Sequence, residues 1–306
     1  MSPRVSIGMP VYNGERYLRE SLDALLAQTF QDFELIISDN ASTDETEAIC
    51  RAYAARDARI RYFRNATNLG AAHNYNRVFE LSTAPYFKWA ASDDLCAPEC
   101  LACCVEALDR EPAAVLAYPK TKIIDEYGTM LCVYDDHMHL QSARPSARLK
   151  HLMQALGECN AVFGLIRSDI LRRTPLIGRY PGSDICLLAE LSLYGKFWEI
   201  PEFLFFRRNH PAASSSDKSI EKQMEFFDPT DKALVRLTKW RHCFEDARSI
   251  WRVPLSFPEK ARAGAFLFRF AIWNRKKLAS ELWFATQQLA HKLFFSSARN
   301  SESTER

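Results

Sequence analysis

Two neighbouring carboxylates, Asp93 and Asp94, follow Ser92 at the end of an apolar stretch of strand character over residues 85–91. Side by side they repel one another unless a cation or a network of donors offsets them, which makes a divalent metal a natural occupant. A turn leading to a helix N-terminus is the plainer alternative. Two other apolar stretches end in polar clusters, Pro10-Val11-Tyr12-Asn13 and Ser38-Asp39-Asn40-Ala41-Ser42-Thr43-Asp44. A fourth cluster, Tyr180-Pro181-Gly182-Ser183-Asp184, precedes an apolar helical run, where Asp184 fits a capping role at the least. Arg207, Arg208 and His210 follow a late strand; the two arginines supply positive charge suited to a leaving group, while His210 taken alone reads as a surface histidine.

The elements that must hold these residues alternate. Val5, Ile7 and Met9 form a first strand, and Asn13 is placed to cap a helix whose Leu18, Leu22, Leu25 and Leu26 make one stripe. A buried strand over 33–37 follows. Ser42-Thr43-Asp44-Glu45 has the form of a capping box opening a second helix to about residue 55, and 59–64 is a third strand. Helix 70–81, strand 85–91 and a helix after Pro98 continue the pattern, then strands 113–118 and 120–125, a turn at Glu126-Tyr127-Gly128, and strand 129–133. Residues 134–146 read as a polar loop; strand 161–167, helix 184–194 and a strand pair around Pro201 end at Arg207. Strand and helix in alternation build a parallel sheet covered by helices, and ligands of such sheets bind beyond the carboxyl ends of the strands.

Composition narrows the classes. In 306 residues, 47% apolar and 25% charged, there is room for one large α/β domain with additions or for two domains, and none of the bias of a disordered or disulfide-scaffold chain. A net charge of +2 gives no global reason to expect nucleic acid as a partner. Nine cysteines, an odd count, and a start that goes straight into a strand fit a reduced, cytoplasmic chain. The greasiest stretch, 263–273, is interrupted by Arg269 and followed by Asn274-Arg275-Lys276-Lys277, so a membrane span is not expected. Cys96, Cys100, Cys103 and Cys104 have zinc-like spacing, but 96, 100 and 103 follow helical periodicity and there is no second ligand cluster, which favours buried thiols; His137 and His139 fall in a solvated loop. The dinucleotide G-x-G-x-x-G, the P-loop, H-E-x-x-H and G-x-S-x-G are all missing.

The opening VSIGMPVYNGERYLRESLDALLAQTFQDFELIISDNASTDET, the stretch RNATNLGAAHNYN and the strand-end SDD resemble, in this order and spacing, the nucleotide-sugar domain of family 2 glycosyltransferases over about residues 3–215. The resemblance implies an α/β chain with the A-type glycosyltransferase fold, a mixed, mostly parallel sheet flanked by helices. It implies that Pro10, Val11 and Tyr12 line the base, that Asp39 accepts a hydrogen bond from it, and that Asn40 and Ser42 shape the loop. It puts Asp93 near the ribose and Asp94 on a Mn²⁺ or Mg²⁺ ion bridging the diphosphate. Asp184 becomes the general base for the acceptor hydroxyl, and His210 a further metal or phosphate contact. One departure concerns Ala41, which stands where the family has glycine; a left-handed backbone there is costly, so a slightly different loop is expected.

The implied activity is inverting, metal-dependent transfer of a sugar, from a UDP-sugar by preference, to a hydroxyl of a glycan or lipid-linked acceptor in polysaccharide or glycoconjugate biosynthesis. The alternative is a catalytically silent sugar-nucleotide-binding or membrane-associated scaffold of the same fold; a nucleotidyltransferase lacks its Gly-rich loop here. Residues 1–216 form the expected catalytic domain. After the serine run 214–216 the strand signal stops, and 217–306 is an expected helical extension. Its helices, at about 218–227, 230–244, 257–274 and 276–295, mix aromatic with basic residues, which suits packing, oligomerisation or peripheral contact with the inner face of a membrane.

Overall fold

The computed structural model describes residues 2–302 apart from 214, 215, 217, 218, 234 and 235, with side chains as far as Leu289. Ser214, Ser215 and Asp217 of the serine run therefore lie outside the described residues, as do the side chains of Lys292, Leu293, Phe294 and Phe295. The chain divides into two compact units, Met1–Thr230 and Asp231–Arg306.

The first unit runs β1 (Val5–Val11), α1 (Glu15–Leu26), β2 (Phe33–Asp39), α2 (Thr46–Ala54), β3 (Ile60–Arg64), α3 (Ala71–Glu80), β4 (Tyr86–Trp89), β5 (Leu95–Cys96), α4 (Cys100–Arg110), β6 (Ala114–Ile124) and β7 (Met130–Tyr134). It continues through α5 (Pro145–Ala155), a 3₁₀ turn Asn160–Phe163, β8 (Leu165–Arg167), α6 (Ser168–Leu171), α7 (Ser183–Tyr194), β9 (Lys196–Arg208) and α8 (Ile220–Phe227). The second unit holds α9 (Thr238–Arg252), α10 (Phe257–Trp273) and α11 (Arg275–Glu302).

The sheet has the order β3-β2-β1-β4-β8-β6-β9-β5, with β7 paired to β6. It is parallel from β3 to β4 and again between β6 and β9, and antiparallel where β8, β5 and β7 join. β1 is buried along its whole length because helices cover both of its faces. Val5, Ile7, Met9 and Val11 point into a core with Leu18, Leu22 and Leu25 of α1 and Leu101, Val105 and Leu108 of α4. On the other face α3 comes so close that a Cβ on Gly8 would sit 2.6 Å from Val78 Cγ2, so a side chain there would force the helix off the sheet.

Several local expectations change. Asn13 and Ser42 do not cap helices: α1 begins after Gly14 and α2 after Glu45, neither with a side-chain cap. Instead Asn13 Oδ1 accepts the Thr43 N–H at 2.8 Å and Ser42 Oγ accepts the Asn13 N–H at 2.9 Å, stitching the two strand-end loops together. Strands 113–118 and 120–125 merge into β6, which carries Pro119 across a register shift opposite Ile200, and the pair around Pro201 is one thirteen-residue strand, β9. Residues 160–163 form a 3₁₀ turn, α5 occupies a stretch with no assigned element, and α9 starts at Thr238. All nine cysteines are free, Cys100 and Cys104 buried and Cys96 and Cys103 half-buried.

Candidate active site

The carboxyl ends of β1, β2 and β3 are tied by amides. Asn40 donates through Nδ2 to Asn68 Oδ1 at 2.7 Å and accepts at Oδ1 from Asn65 Nδ2 and the Leu69 N–H. Asn68 Oδ1 also accepts the Gly70 N–H, while Asn74 on α3 donates to Ser38 O at 2.7 Å. Asn40, Asn65 and Asn74 are buried, so each bond meets a main-chain or amide group that water cannot serve. Three asparagines of this ladder, Asn65, Asn68 and Asn74, carry no role in the sequence reading, which singles out Asn40 alone.

Beside the ladder, Asp39 is wholly buried. Its Oδ1 accepts the Ser42 N–H at 2.8 Å; its Oδ2 accepts the Tyr62 hydroxyl at 2.8 Å and lies 3.3 Å from Arg64 Nε. Burial, then the bond to Asp39, pushes the Tyr62 phenol up. Asp39 thus orders the 40–44 loop with most of its lone pairs, more than a residue held ready for a base alone would. Ala41 in that loop keeps a left-handed backbone, φ +64°, so the glycine-type turn survives the substitution and the strain is accepted. Pro10 and Val11 are buried, Val11 in the core, and Tyr12 is the exposed residue of the three, at 48%.

At the end of β4, Asp94 Oδ1 accepts the Arg208 N–H at 2.8 Å, and Asp93 Oδ2 lies 2.9 Å from His210 Nε2. The histidine therefore pairs with Asp93, the half-exposed member, rather than with Asp94. Burial, and after it the charge of Asp93, holds the Asp94 carboxyl well above the usual carboxylate range. Arg208 is committed elsewhere: Nε donates to Asp93 O, a terminal nitrogen to Glu20 Oε2 at 2.7 Å, and its guanidinium stacks 4.6 Å from the Tyr17 ring. Arg207 reaches Glu158 Oε2 at 2.8 Å and Asn160 Oδ1 at 3.1 Å. Both arginines, expected from the sequence to offset a leaving group, are held here by protein acceptors.

Asp184 lies in the first turn of α7, behind Gly182, whose left-handed φ of +76° makes it the N-cap residue in place of Asp184. Burial, and after it the charge of Asp184, push the Cys159 thiol well up. Burial, and after it the charges of Asp93, Asp94 and Asp184, raise the Tyr75 phenol. Tyr75, Cys159, Tyr17 and Glu20 escaped sequence reasoning because each is brought to the site by packing of distant elements. Among the described residues no group of three His, Cys, Asp or Glu side chains is set to hold a metal ion. An Asp pair with one carboxyl that needs a counter-charge to ionise, beside a histidine whose buried Nδ1 has no partner, nonetheless suits an ion that takes one or two carboxylates and draws other ligands from substrate phosphates.

The strand-end site on a mixed sheet is the setting of an α/β enzyme whose ligands bind beyond the carboxyl ends of the strands, and the comparisons name its class. Residues 6–173 match the family model described as glycosyl transferase family 2, and the chain belongs to that family. It is 28% identical over 246 residues to an uncharacterized glycosyltransferase of Rickettsia prowazekii, spanning 78% of this chain and 74% of that one. It is 35% identical over 95 residues to glycosyltransferase GlyG of Streptococcus pneumoniae, spanning 31% and 32%. Among solved structures, Staphylococcus aureus TarS 1-349 in complex with UDP aligns with a TM-score of 0.63 at 16% identity over 89% of this chain and 73% of that one. A Pyrobaculum calidifontis mannosyltransferase in complex with GDP-Man and Mn²⁺ aligns at 0.56 and 16%, over 98% and 81%. The fold is the A-type glycosyltransferase fold and the chain is a glycosyltransferase.

Proposed function

We propose that the first unit is an inverting glycosyltransferase that moves a sugar from a nucleotide diphosphate donor, a UDP-sugar by preference, to a hydroxyl of a glycan or lipid-linked acceptor in polysaccharide or glycoconjugate assembly. The carrying observation is the Asp93–Asp94 pair at the end of β4, with Asp94 on the Arg208 N–H and Asp93 beside His210 Nε2. TarS and the mannosyltransferase were solved with UDP and with GDP-Man and Mn²⁺ respectively, which supports a nucleotide-sugar donor and a divalent metal for a chain of this fold.

Tyr12 offers the base an aromatic face, with Pro10 and Val11 behind it. Asp39, Asn40 and Ser42 fix the loop that closes over the nucleoside. Asp93 faces the ribose side, and Asp94 with His210 would hold a Mn²⁺ or Mg²⁺ ion, which when bound supplies charge that stabilises the departing diphosphate. Asp184 takes the proton of the acceptor hydroxyl as that oxygen bonds to the anomeric carbon and the bond to the diphosphate breaks. One displacement inverts the centre and needs no covalent enzyme intermediate.

Calorimetric titration of UDP and GDP with and without Mn²⁺ tests this reading. Mn²⁺ should tighten binding of the preferred nucleotide to the wild type, and Asp94→Ala should lose that enhancement while its far-ultraviolet circular dichroism stays that of the folded protein. Equal enhancement in both proteins would remove Asp94 from the metal.

A further inference from the structure

The near-neutral chain is electrically divided. Residues 1–230 carry 25 Lys and Arg against 31 Asp and Glu, a net −6, while residues 231–306 carry 15 against 7, a net +8. A segment this basic within a balanced protein calls for an anionic partner.

Exposed aromatics accompany the charge. In α9, Trp240, Phe244 and Trp251 fall within about 40° of one another on the helical wheel, roughly opposite the buried Asp246, Ser249 and Ile250. They are 40%, 60% and 70% exposed, although an ordinary surface helix would put them inward. Arg241, Arg248 and Arg252 lie about 80° to one side of this stripe. Arg248 rests 5.1 Å from the Phe244 ring, and Lys260 at the start of α10 rests 5.3 Å from Trp251. None of the described helices is long and apolar enough to cross a membrane.

We propose that α9 docks the second unit on an anionic lipid bilayer, with Trp240, Phe244 and Trp251 entering the headgroup boundary and the flanking arginines against lipid phosphates. Bulky aromatics beside basic residues on a helix that does not span are the pattern of an in-plane, interfacial helix. Lipid takes both halves of the surface, since headgroups meet the cations and acyl chains meet the rings. A second copy is a poorer occupant, because it would bring one +8 segment against another. The proposal does not depend on the donor or metal reading of the first unit.

Co-sedimentation of the full chain with vesicles, in the absence of any nucleotide, tests it. Vesicles of phosphatidylcholine with about a third phosphatidylglycerol should bind the chain at least tenfold more tightly than phosphatidylcholine alone, and added salt should weaken the binding. The triple variant Trp240→Ser, Phe244→Ser, Trp251→Ser should lose it while its far-ultraviolet circular dichroism stays that of the wild type. Should the triple variant prove unfolded, Arg241→Gln, Arg248→Gln and Arg252→Gln together give the same reading, with binding expected to fall at least tenfold. The proposal is overturned by equal binding to neutral and anionic vesicles, by full binding in a folded variant, or by a salt-sensitive dimer with no vesicle binding. Binding of a single-stranded RNA oligonucleotide as tight as that of the anionic vesicles also overturns it.

Discussion

Asp184 and Asp39 show how much one side chain's setting decides. Asp184 is not the N-cap of α7, so Asp184→Asn removes the candidate base without removing a cap. Turnover should fall by about 10² to 10⁴, with donor affinity and melting temperature near wild type. A pre-steady-state transfer assay beside a donor titration checks this, and near-normal transfer would remove Asp184 as the base. Asp39→Ala acts differently, because Tyr62 and Arg64 lose a buried acceptor at once. Urea unfolding should show a loss of about 1–3 kcal/mol, together with weaker nucleotide binding. Weaker binding at unchanged stability would instead favour a direct contact with the base.

At the scale of elements, the 40–44 loop holds a testable strain. Ala41 at φ +64° carries a cost of about 1–2 kcal/mol that glycine would not, partly offset by the greater freedom glycine brings to the unfolded chain. Ala41→Gly should therefore raise stability by about 0.5–1 kcal/mol in urea unfolding, whereas a loss would mean that the Ala41 methyl packs usefully. The same loop marks where the sequence was legible and where it was not. Apolar runs identified β1, β2 and β4, which are buried on both faces, and apolar stripes identified their helices. The caps at Asn13 and Ser42 were misread, since the side chains that favour capping also serve any nearby orphan N–H, and here the nearest lies on the other loop. Pro119 and Pro201 read as breaks, yet β6 and β9 run through them, because a register shift absorbs the missing donor. The aspartates of the site stood out as strand-end carboxylates. Tyr75 and Cys159 did not, for only the packing of α3 on β1 and β2 and of the 3₁₀ turn against α7 positions them.

For the molecule as a whole, the carboxylates that burial disfavours should leave a mark on the pH dependence of folding. Asp136, 1% exposed beyond the end of β7, is raised to about 7 by burial, then by the charges of Glu199 and Asp135. Its folded value lies above the unfolded value of about 3.9, so the native state holds a proton that the unfolded chain releases. The stability from that proton is complete below about pH 4 and is lost as pH rises through about 7, with a slope approaching 1.4 kcal/mol per pH unit at most between those limits. Asp44, Asp57, Asp109 and Asp135 are lowered and act in the opposite sense, losing stability as pH falls, so the wild-type profile alone mixes the two. Subtracting the profile of Asp136→Asn separates them, because the amide keeps the shape of the protonated acid and cannot ionise. The variant should gain on the wild type steadily from about pH 4 to 7 and hold that gain above it. Chemical unfolding at closely spaced pH values reads this directly, and two parallel profiles would show that Asp136 ionises as easily inside the protein as outside it.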